Sequence, residues 1–158
     1  MTVHIDEESV VKASDQFWEQ MLAMHLEHVP LEDQCCVEAG HLLASVYLSG
    51  TWTGKIEVRL SDGLAQSATA AMLMQPPESV VEADRLDASK EIANMIAGTI
   101  KSALPRPCAM TVPESSVESE RFCEPQRTEN TMIVGFRHAD GELMVRVAEQ
   151  LAGTEIVQ

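Results

Sequence analysis

Aromatic and basic side chains are scarce in this chain, and each scarcity narrows what the protein can be. Two Trp, one Tyr and three Phe among 158 residues leave a core that must be built from aliphatic side chains and from some of the nine Met. Eleven Lys and Arg stand against 25 Asp and Glu, a formal net charge of −14. Because nucleic acids and anionic membranes are bound through cationic groups, we expect neither a nucleic-acid partner nor a membrane partner.

Long apolar runs and paired cysteine motifs are also missing. No stretch of about 18 apolar residues occurs, and the first residues lack a basic segment followed by an apolar one, so we expect a cytoplasmic protein. Cys35, Cys36, Cys108 and Cys123 form no Cys-x-x-Cys pair. In a reducing cytosol we expect these four residues to act as small hydrophobic side chains.

The remaining composition is that of a globular protein. Apolar residues make up 45% of the chain and charged residues 23%, which is unlike a disordered segment. A chain of this length suits one compact core. We therefore expect residues 1–158 to form a single domain.

Hydrophobic periodicity and turn residues predict an ordered series of helices and hairpins. In chain order these are a helix over 6–28 ended by Pro30, an irregular connector over 31–40, a hairpin of 41–49 with 55–60, a helix over 64–74, a long helix over about 84–104, a strand over 108–112 and a hairpin of 131–137 with 142–147. The polar segment 113–129 has no clear pattern. Strands and helices do not alternate regularly, so the sequence predicts an α+β fold with a mainly antiparallel sheet and helices packed on one face.

One side of the long helix carries a row of polar residues, which we call the polar stripe. Asp87, Glu91, Asn94, Gly98 and Lys101 recur at three- and four-residue steps and so share one helix face. An ordinary solvated face would explain the charges, since acids favour the beginning of a helix and bases its end. However, Asn is a mediocre residue within a helix and Gly98 costs ~1 kcal/mol relative to Ala. Both residues on one exposed face suggest that a partner docks there.

The run Asp87-x3-Glu91-x2-Asn94, continued as Met-Ile-Ala-Gly-x2-Lys to Lys101, resembles the signature helix of the CheX/CheC/FliY family of chemotaxis phosphatases. The resemblance extends over about 37–147 and includes the hairpin glycines, the Ala-rich helix, a proline-containing strand near Pro113 and the closing hairpin. It implies a CheC-like fold. It also implies dephosphorylation of a CheY-like response-regulator receiver domain, whose phosphoryl group sits on an aspartate beside a receiver-bound Mg²⁺.

Roles for individual residues follow from the same resemblance. Asn94 is expected to enter the receiver site and position the attacking water, and Glu91 to pair with a receiver lysine. Asp87, Gly98 and Lys101 are expected to contact the partner. The resemblance implies no metal or cofactor bound by this chain itself, since the Mg²⁺ belongs to the receiver.

An acyl phosphate is already activated, so its hydrolysis requires mainly a positioned water and favourable electrostatics. An asparagine amide can orient water through its oxygen without bringing negative charge towards the phosphoryl oxygens.

CheC-type members carry the motif twice. Here the corresponding run beginning at Asp15 has Leu22 where an Asn is needed, so we expect one site, as in CheX.

Other interpretations stay open at the level of the sequence. The same helix face can belong to a non-catalytic module that binds a receiver or another protein. A zinc site built from His25, His28, Cys35 and Cys36 lacks paired ligand spacing and is disfavoured. CheX relatives form dimers, and the Val- and Ile-rich terminal hairpin could offer an edge strand for a homodimer.

Overall fold

The computed structural model describes residues 3–30 and 34–151. These residues form three α-helices and nine β-strands. The helices are α1 (Glu7–Asp15), α2 (Asp62–Leu73) and α3 (Glu82–Ser102). The strands are β1 (Glu27–Val29), β2 (Gln34–Val37), β3 (Leu42–Gly50), β4 (Gly54–Leu60), β5 (Cys108–Met110), β6 (Glu114–Val117), β7 (Phe122–Pro125), β8 (Thr131–His138) and β9 (Gly141–Glu149).

Seven strands make one antiparallel sheet. Its order is β1-β8-β9-β4-β3, and β5 and β6 both pair with the outer edge of β3. The two predicted hairpins are confirmed as β3–β4 and β8–β9, and their inner strands β4 and β9 pair with each other. The two hairpins therefore form the centre of the sheet.

All three helices contribute to one hydrophobic core on one face of this sheet. Alternate residues of each central strand point into that core, for example Val46 on β3 and Ile56 on β4, both fully buried. Val10 of α1, Leu64 of α2 and Ile96 of α3 complete the core from the other side. The predicted α+β fold, with helices on one face of a mainly antiparallel sheet, is confirmed.

The other face of the sheet is partly covered by a two-stranded sheet formed from β2 and β7. Cys35, Val37, Ile133 and Met144 form a small buried cluster between the two sheets, with Phe122 packed against it. Neither β2 nor β7 was predicted, because each is only four residues long and polar in part.

The expectation that all four cysteines are isolated hydrophobic side chains is wrong for two of them. The β2–β7 register places Cys36 opposite Cys123, with 4.1 Å between their Cα atoms, and the two form a disulfide. The residues are 87 positions apart, so only the pairing of the strands brings them together. Cys35 is buried as expected, and Cys108 is a partly buried free thiol.

The predicted N-terminal helix over 6–28 is also too long. Helix α1 ends at Asp15, a π-helical segment continues to Met21, and Ala23 then turns the chain with a φ of 53°. Glu27–Val29 is strand β1, which pairs with β8. Hydrogen bonding to a sheet edge here outweighs the local helical periodicity.

The terminal hairpin does not provide a free edge for dimer formation. Strand β9 lies between β8 and β4, and β1 covers Gly135–Arg137 of β8. Chain segment 126–128 covers the rest of β8, since Ile133 N donates to the Gln126 carbonyl. The expected edge strand is therefore absent from the described part of this hairpin. No helix within the described residues is long and apolar enough to cross a membrane.

Candidate functional site

Helix α3 lies close to its predicted span, and residues near each end explain where it begins and ends. Asp84 in the first turn accepts a hydrogen bond from the Val81 N–H at 3.4 Å, and Glu82 adds a second negative charge near the helix start. At the other end Leu104 N donates to the Lys101 carbonyl, and Pro105 follows. The predicted span of about 84–104 differs from the observed helix by two residues at each end.

Small side chains let α3 pack closely against the sheet. Ala88, Ala93 and Ala97 are buried with the larger Ile92 and Ile96, and the helix makes its most extensive contacts with β3. A buried face of alanines and isoleucines leaves little room for rotation about the helix axis. The opposite side of α3 is therefore held in a fixed direction, away from the core.

The polar stripe lies on that opposite side. Asp87 and Glu91 are exposed, whereas Asn94, Gly98 and Lys101 are partly exposed. Asp87 contacts Lys90 at 3.6 Å, but no hydrogen bond or ion pair joins the Glu91 or Asn94 side chain to another described residue. A carboxylate and an amide, one helical turn apart, thus face outward without internal partners.

The edge of the sheet borders this helix face. Ser115 Oγ of β6 donates to the Leu86 carbonyl at 2.9 Å, which attaches the beginning of α3 to the edge strand. Between β5 and β6, Thr111 exchanges hydrogen bonds with the Tyr47 backbone, so the edge continues through the gap. Met110 of β5 lies beside Gly98. Segment 108–117 therefore forms a fixed wall along the polar stripe.

The sequence did not point to three residues near the end of the stripe. Arg106, Pro107 and Cys108 line a cavity with Gly98 and Lys101. They come after the helix in a proline-rich turn, where periodicity gives no information about their direction. The presence of two prolines near a basic residue was the only available signal, and it indicates a turn rather than a site.

The run that begins at Asp15 forms no second site of the same kind. It lies mostly in the π-helical segment, where Trp18 is fully buried, and Leu22 packs against the hydrophobic core. Burial raises the pKa of Asp15, and the nearby Glu19 carboxylate adds to this effect.

The residues of the disfavoured zinc interpretation do not converge. His25 Nδ1 lies 2.8 Å from Glu19, His28 lies 3.3 Å from Glu7, and Cys36 is in the disulfide. The hydrogen bond with Glu19 raises the pKa of His25. Among the described residues, no group of three or more His, Cys, Asp or Glu side chains is arranged to hold a metal ion.

Comparison with known proteins gives a family match over most of the chain. Residues 42–137, from β3 into β8 and including all of α3, match the family model described as chemotaxis phosphatase CheX. No curated protein sequence matches this chain.

Solved structures share the fold at low sequence identity. Chemotaxis protein CheX from Vibrio vulnificus superposes with a TM-score of 0.74 at 16% identity, covering 91% of this chain and 95% of that one. The CheX of the CheX–CheY–BeF₃–Mg²⁺ complex from Borrelia burgdorferi gives 0.68 at 17%, with 94% and 100% covered. FliY from Thermotoga maritima gives 0.61 at 13%, with 93% and 92% covered.

The family match spans more than half of the chain and contains the whole polar stripe, and the folds agree over nearly all of it. This protein therefore belongs to the CheX family of chemotaxis phosphatases.

Proposed function

We propose that this protein hydrolyses the aspartyl phosphate of a CheY-like receiver domain, with the polar stripe of α3 as its working surface. The observation that carries the proposal is the outward position of Glu91 and Asn94, one turn apart and without internal partners, inside the segment that matches the family model. The Borrelia burgdorferi CheX structure, which contains CheY and Mg²⁺, supports a receiver as the partner.

Asn94 is proposed to position the attacking water. Its amide oxygen accepts a hydrogen bond from the water while its NH₂ group donates to a phosphoryl oxygen, so the water oxygen is aligned with phosphorus. The water oxygen bonds to phosphorus as the bond between phosphorus and the receiver carboxylate breaks, which releases the free aspartate and inorganic phosphate, and the water protons leave with the phosphate or pass to solvent. No nucleophile from this chain is required, since positioning and electrostatics account for most of the rate in phosphoryl transfer.

Glu91 is proposed to pair with a cationic side chain of the receiver, and we expect that cation to be a lysine. An exposed carboxylate one turn from Asn94 fixes the direction in which the amide enters the receiver site. Mg²⁺, which neutralises charge on the transferred group, is expected on the receiver. We further propose that the chain acts as a single domain, because α1 and the family-matched segment share one hydrophobic core.

Multiple-turnover hydrolysis tests the proposal. A catalytic amount of the protein is added to a CheY receiver phosphorylated with acetyl phosphate in Mg²⁺, and phosphate release is followed. We expect acceleration by the wild type and its loss in Asn94→Ala, with an unfolding midpoint that is unchanged or slightly higher because Ala is a better helix former than Asn. Gln20→Ala, which removes an exposed side-chain amide that lies outside the polar stripe, is the matched control.

Glu91→Gln separates binding from chemistry. Loss of the carboxylate charge should raise KM for the phosphorylated receiver while most of kcat remains, because Asn94 is still present. Stoichiometric binding of the receiver without acceleration by the wild type would instead identify a non-catalytic binding module. Normal turnover by Asn94→Ala would refute the role assigned to that residue.

A further inference from the structure

A cavity of about 430 Å³ lies at the C-terminal end of the polar stripe. The last turn of α3 forms one side, with Gly98 and Lys101, and the turn that follows the helix forms the other, with Arg106 and Cys108. We call this cavity the basic groove. Thr51 fixes the turn that follows the helix. Thr51 Oγ1 donates to the Pro105 carbonyl at 2.6 Å, and Thr51 N donates to the Pro107 carbonyl at 3.0 Å.

The charge of the basic groove contrasts with the rest of the molecule. Seven of the 11 Lys and Arg residues form ion pairs with carboxylates, and within the described residues four form none: Lys101, Arg106, Arg127 and Arg137. Arg127 and Arg137 line cavities that also contain Glu residues, unlike Lys101 and Arg106. No described carboxylate lines the basic groove. Two unpaired cations thus share one cavity in a chain with a net charge of −14.

The position of the groove connects it to Asn94. Lys101 is seven residues beyond Asn94 on the same helix face, a rise of about 10.5 Å. Gly98 lies between them, and a β-carbon added there would meet only Met110 Cε, at 4.0 Å. The packing of this chain therefore does not require a glycine at position 98. A glycine at this position leaves the path from the amide to the groove open to a partner backbone.

We propose that the basic groove binds an acidic segment of the phosphorylated receiver, close to its aspartyl phosphate, and so determines which receivers are accepted. This inference rests on the proposed function. A phosphoryl group with Mg²⁺ is held by carboxylates, so the surface around such a site is acidic. The exposed face of α3 is acidic at Asp87 and Glu91, whereas its end and the turn that follows it are basic at Lys101 and Arg106. This polarity favours one orientation of the receiver and opposes the reverse one.

Charge removal with a matched control tests the groove. The double variant Lys101→Gln with Arg106→Gln loses two positive charges, and so does the control Arg121→Gln with Arg137→Gln, whose exposed residues lie away from the groove. With the phosphorylated receiver at low salt, we expect kcat/KM of the groove variant to fall roughly fivefold to tenfold at unchanged kcat. Its salt dependence should become flatter than that of the wild type. A groove variant that matches the control would overturn the inference while leaving the proposed function intact.

Cys108 provides a second test that does not depend on turnover. It is the partly accessible free thiol of the groove, whereas Cys35 is buried, and burial raises the pKa of the Cys35 thiol. N-ethylmaleimide should therefore modify Cys108 first, as located by mass spectrometry. We expect a saturating phosphorylated receiver to slow this modification at least about fivefold in the wild type and less in the double groove variant. Modification at an unchanged rate in the receiver-bound protein would rule out occupation of the groove, whether or not phosphate is released.

Discussion

Arg146 donates a hydrogen bond from Nη1 to Glu57 Oε1 at 2.8 Å, on the face of the main sheet that the helices leave uncovered. The two residues are opposite each other on β9 and β4, and the Glu57 side chain is only 5% exposed. Arg146 also donates from Nε to Glu124 of β7 at 2.8 Å, and Lys55 lies 3.3 Å from Glu57. This ion-pair network connects the two sheets at a distance from α3.

Substitution of Glu57 should therefore destabilise the fold without a direct effect on the site. Glu57→Gln leaves Arg146 and Lys55 without their shared buried carboxylate, and we expect the free energy of unfolding to fall by about 2–4 kcal/mol. Glu38→Gln is the control, because its pair with Arg121 is highly exposed and should contribute less than about 0.5 kcal/mol. Urea unfolding measures both variants, and equal effects would show that burial of Glu57 does not matter.

Gly98→Ala should affect stability and function in opposite directions. The position is helical and the added β-carbon has space, so we expect an increase in stability of about 0.5–1 kcal/mol. If a receiver backbone approaches α3 here, the extra methyl group should raise KM for the phosphorylated receiver. Thermal unfolding and steady-state kinetics of one preparation give both values. Ala103→Gly, just past the helix, serves as the converse control, with unchanged kinetics expected.

Reduction of the Cys36–Cys123 disulfide should weaken the attachment of the β2–β7 sheet. The bond links residues 87 positions apart, and a cross-link of this kind stabilises by about 2–4 kcal/mol, mainly by restricting the unfolded chain. Urea unfolding with and without dithiothreitol should show this difference. The double variant Cys36→Ser with Cys123→Ser should be insensitive to the reductant, and a wild type that is equally insensitive would contradict the prediction.

The N-cap of α1 should make a small, pH-dependent contribution to stability. Asp6 Oδ1 accepts a hydrogen bond from Ser9 N at 2.8 Å, and this bonding lowers the pKa of Asp6 below its ordinary value of 3.8. A lowered folded-state pKa gives a stabilisation that is complete above pH 3.8 and is lost as the pH falls through the folded value.

At pH 7 we expect Asp6→Ala to cost about 1 kcal/mol, and the difference from the wild type should shrink in acid. Asp6→Asn keeps a side-chain acceptor and should retain most of the cap while losing its pH dependence. Urea unfolding at neutral and acidic pH compares the three proteins. An Asp6→Ala penalty that stays constant into acid would contradict the charge-dependent part of this prediction.

Local patterns were sufficient for the central elements and for α3. Apolar residues at helical spacing form one face of a helix, and that face packs against the core. Because Ile92 and Ala93 are buried in the core, Glu91 and Asn94 on the opposite face of α3 point outward. Gly50 and Gly141, both with positive φ, likewise mark the ends of strands in the two hairpins. These features depend on neighbours a few residues apart, which a single sequence contains.

The short strands depend on distant partners instead. Strand β1 pairs with β8 about a hundred residues later, and β2 pairs with β7 across a similar interval. Segments of three or four residues show too few alternating apolar positions to be recognised as strands. The helical periodicity around Leu26 and the polar composition of 113–129 therefore determined the prediction there. Their pairing also decides that Cys36 meets Cys123 and that the terminal hairpin has no free edge.

Short-range spacing along the chain was enough to indicate the family, the two hairpins and the outward face of α3. Which residues surround that face follows from the tertiary fold. Arg106 lines one cavity with Lys101, and Thr51, from a hairpin more than 50 residues earlier, holds the turn that carries Arg106 through hydrogen bonds to Pro105 and Pro107. Contacts between distant segments are set by the packing of the whole core, and no local pattern encodes them.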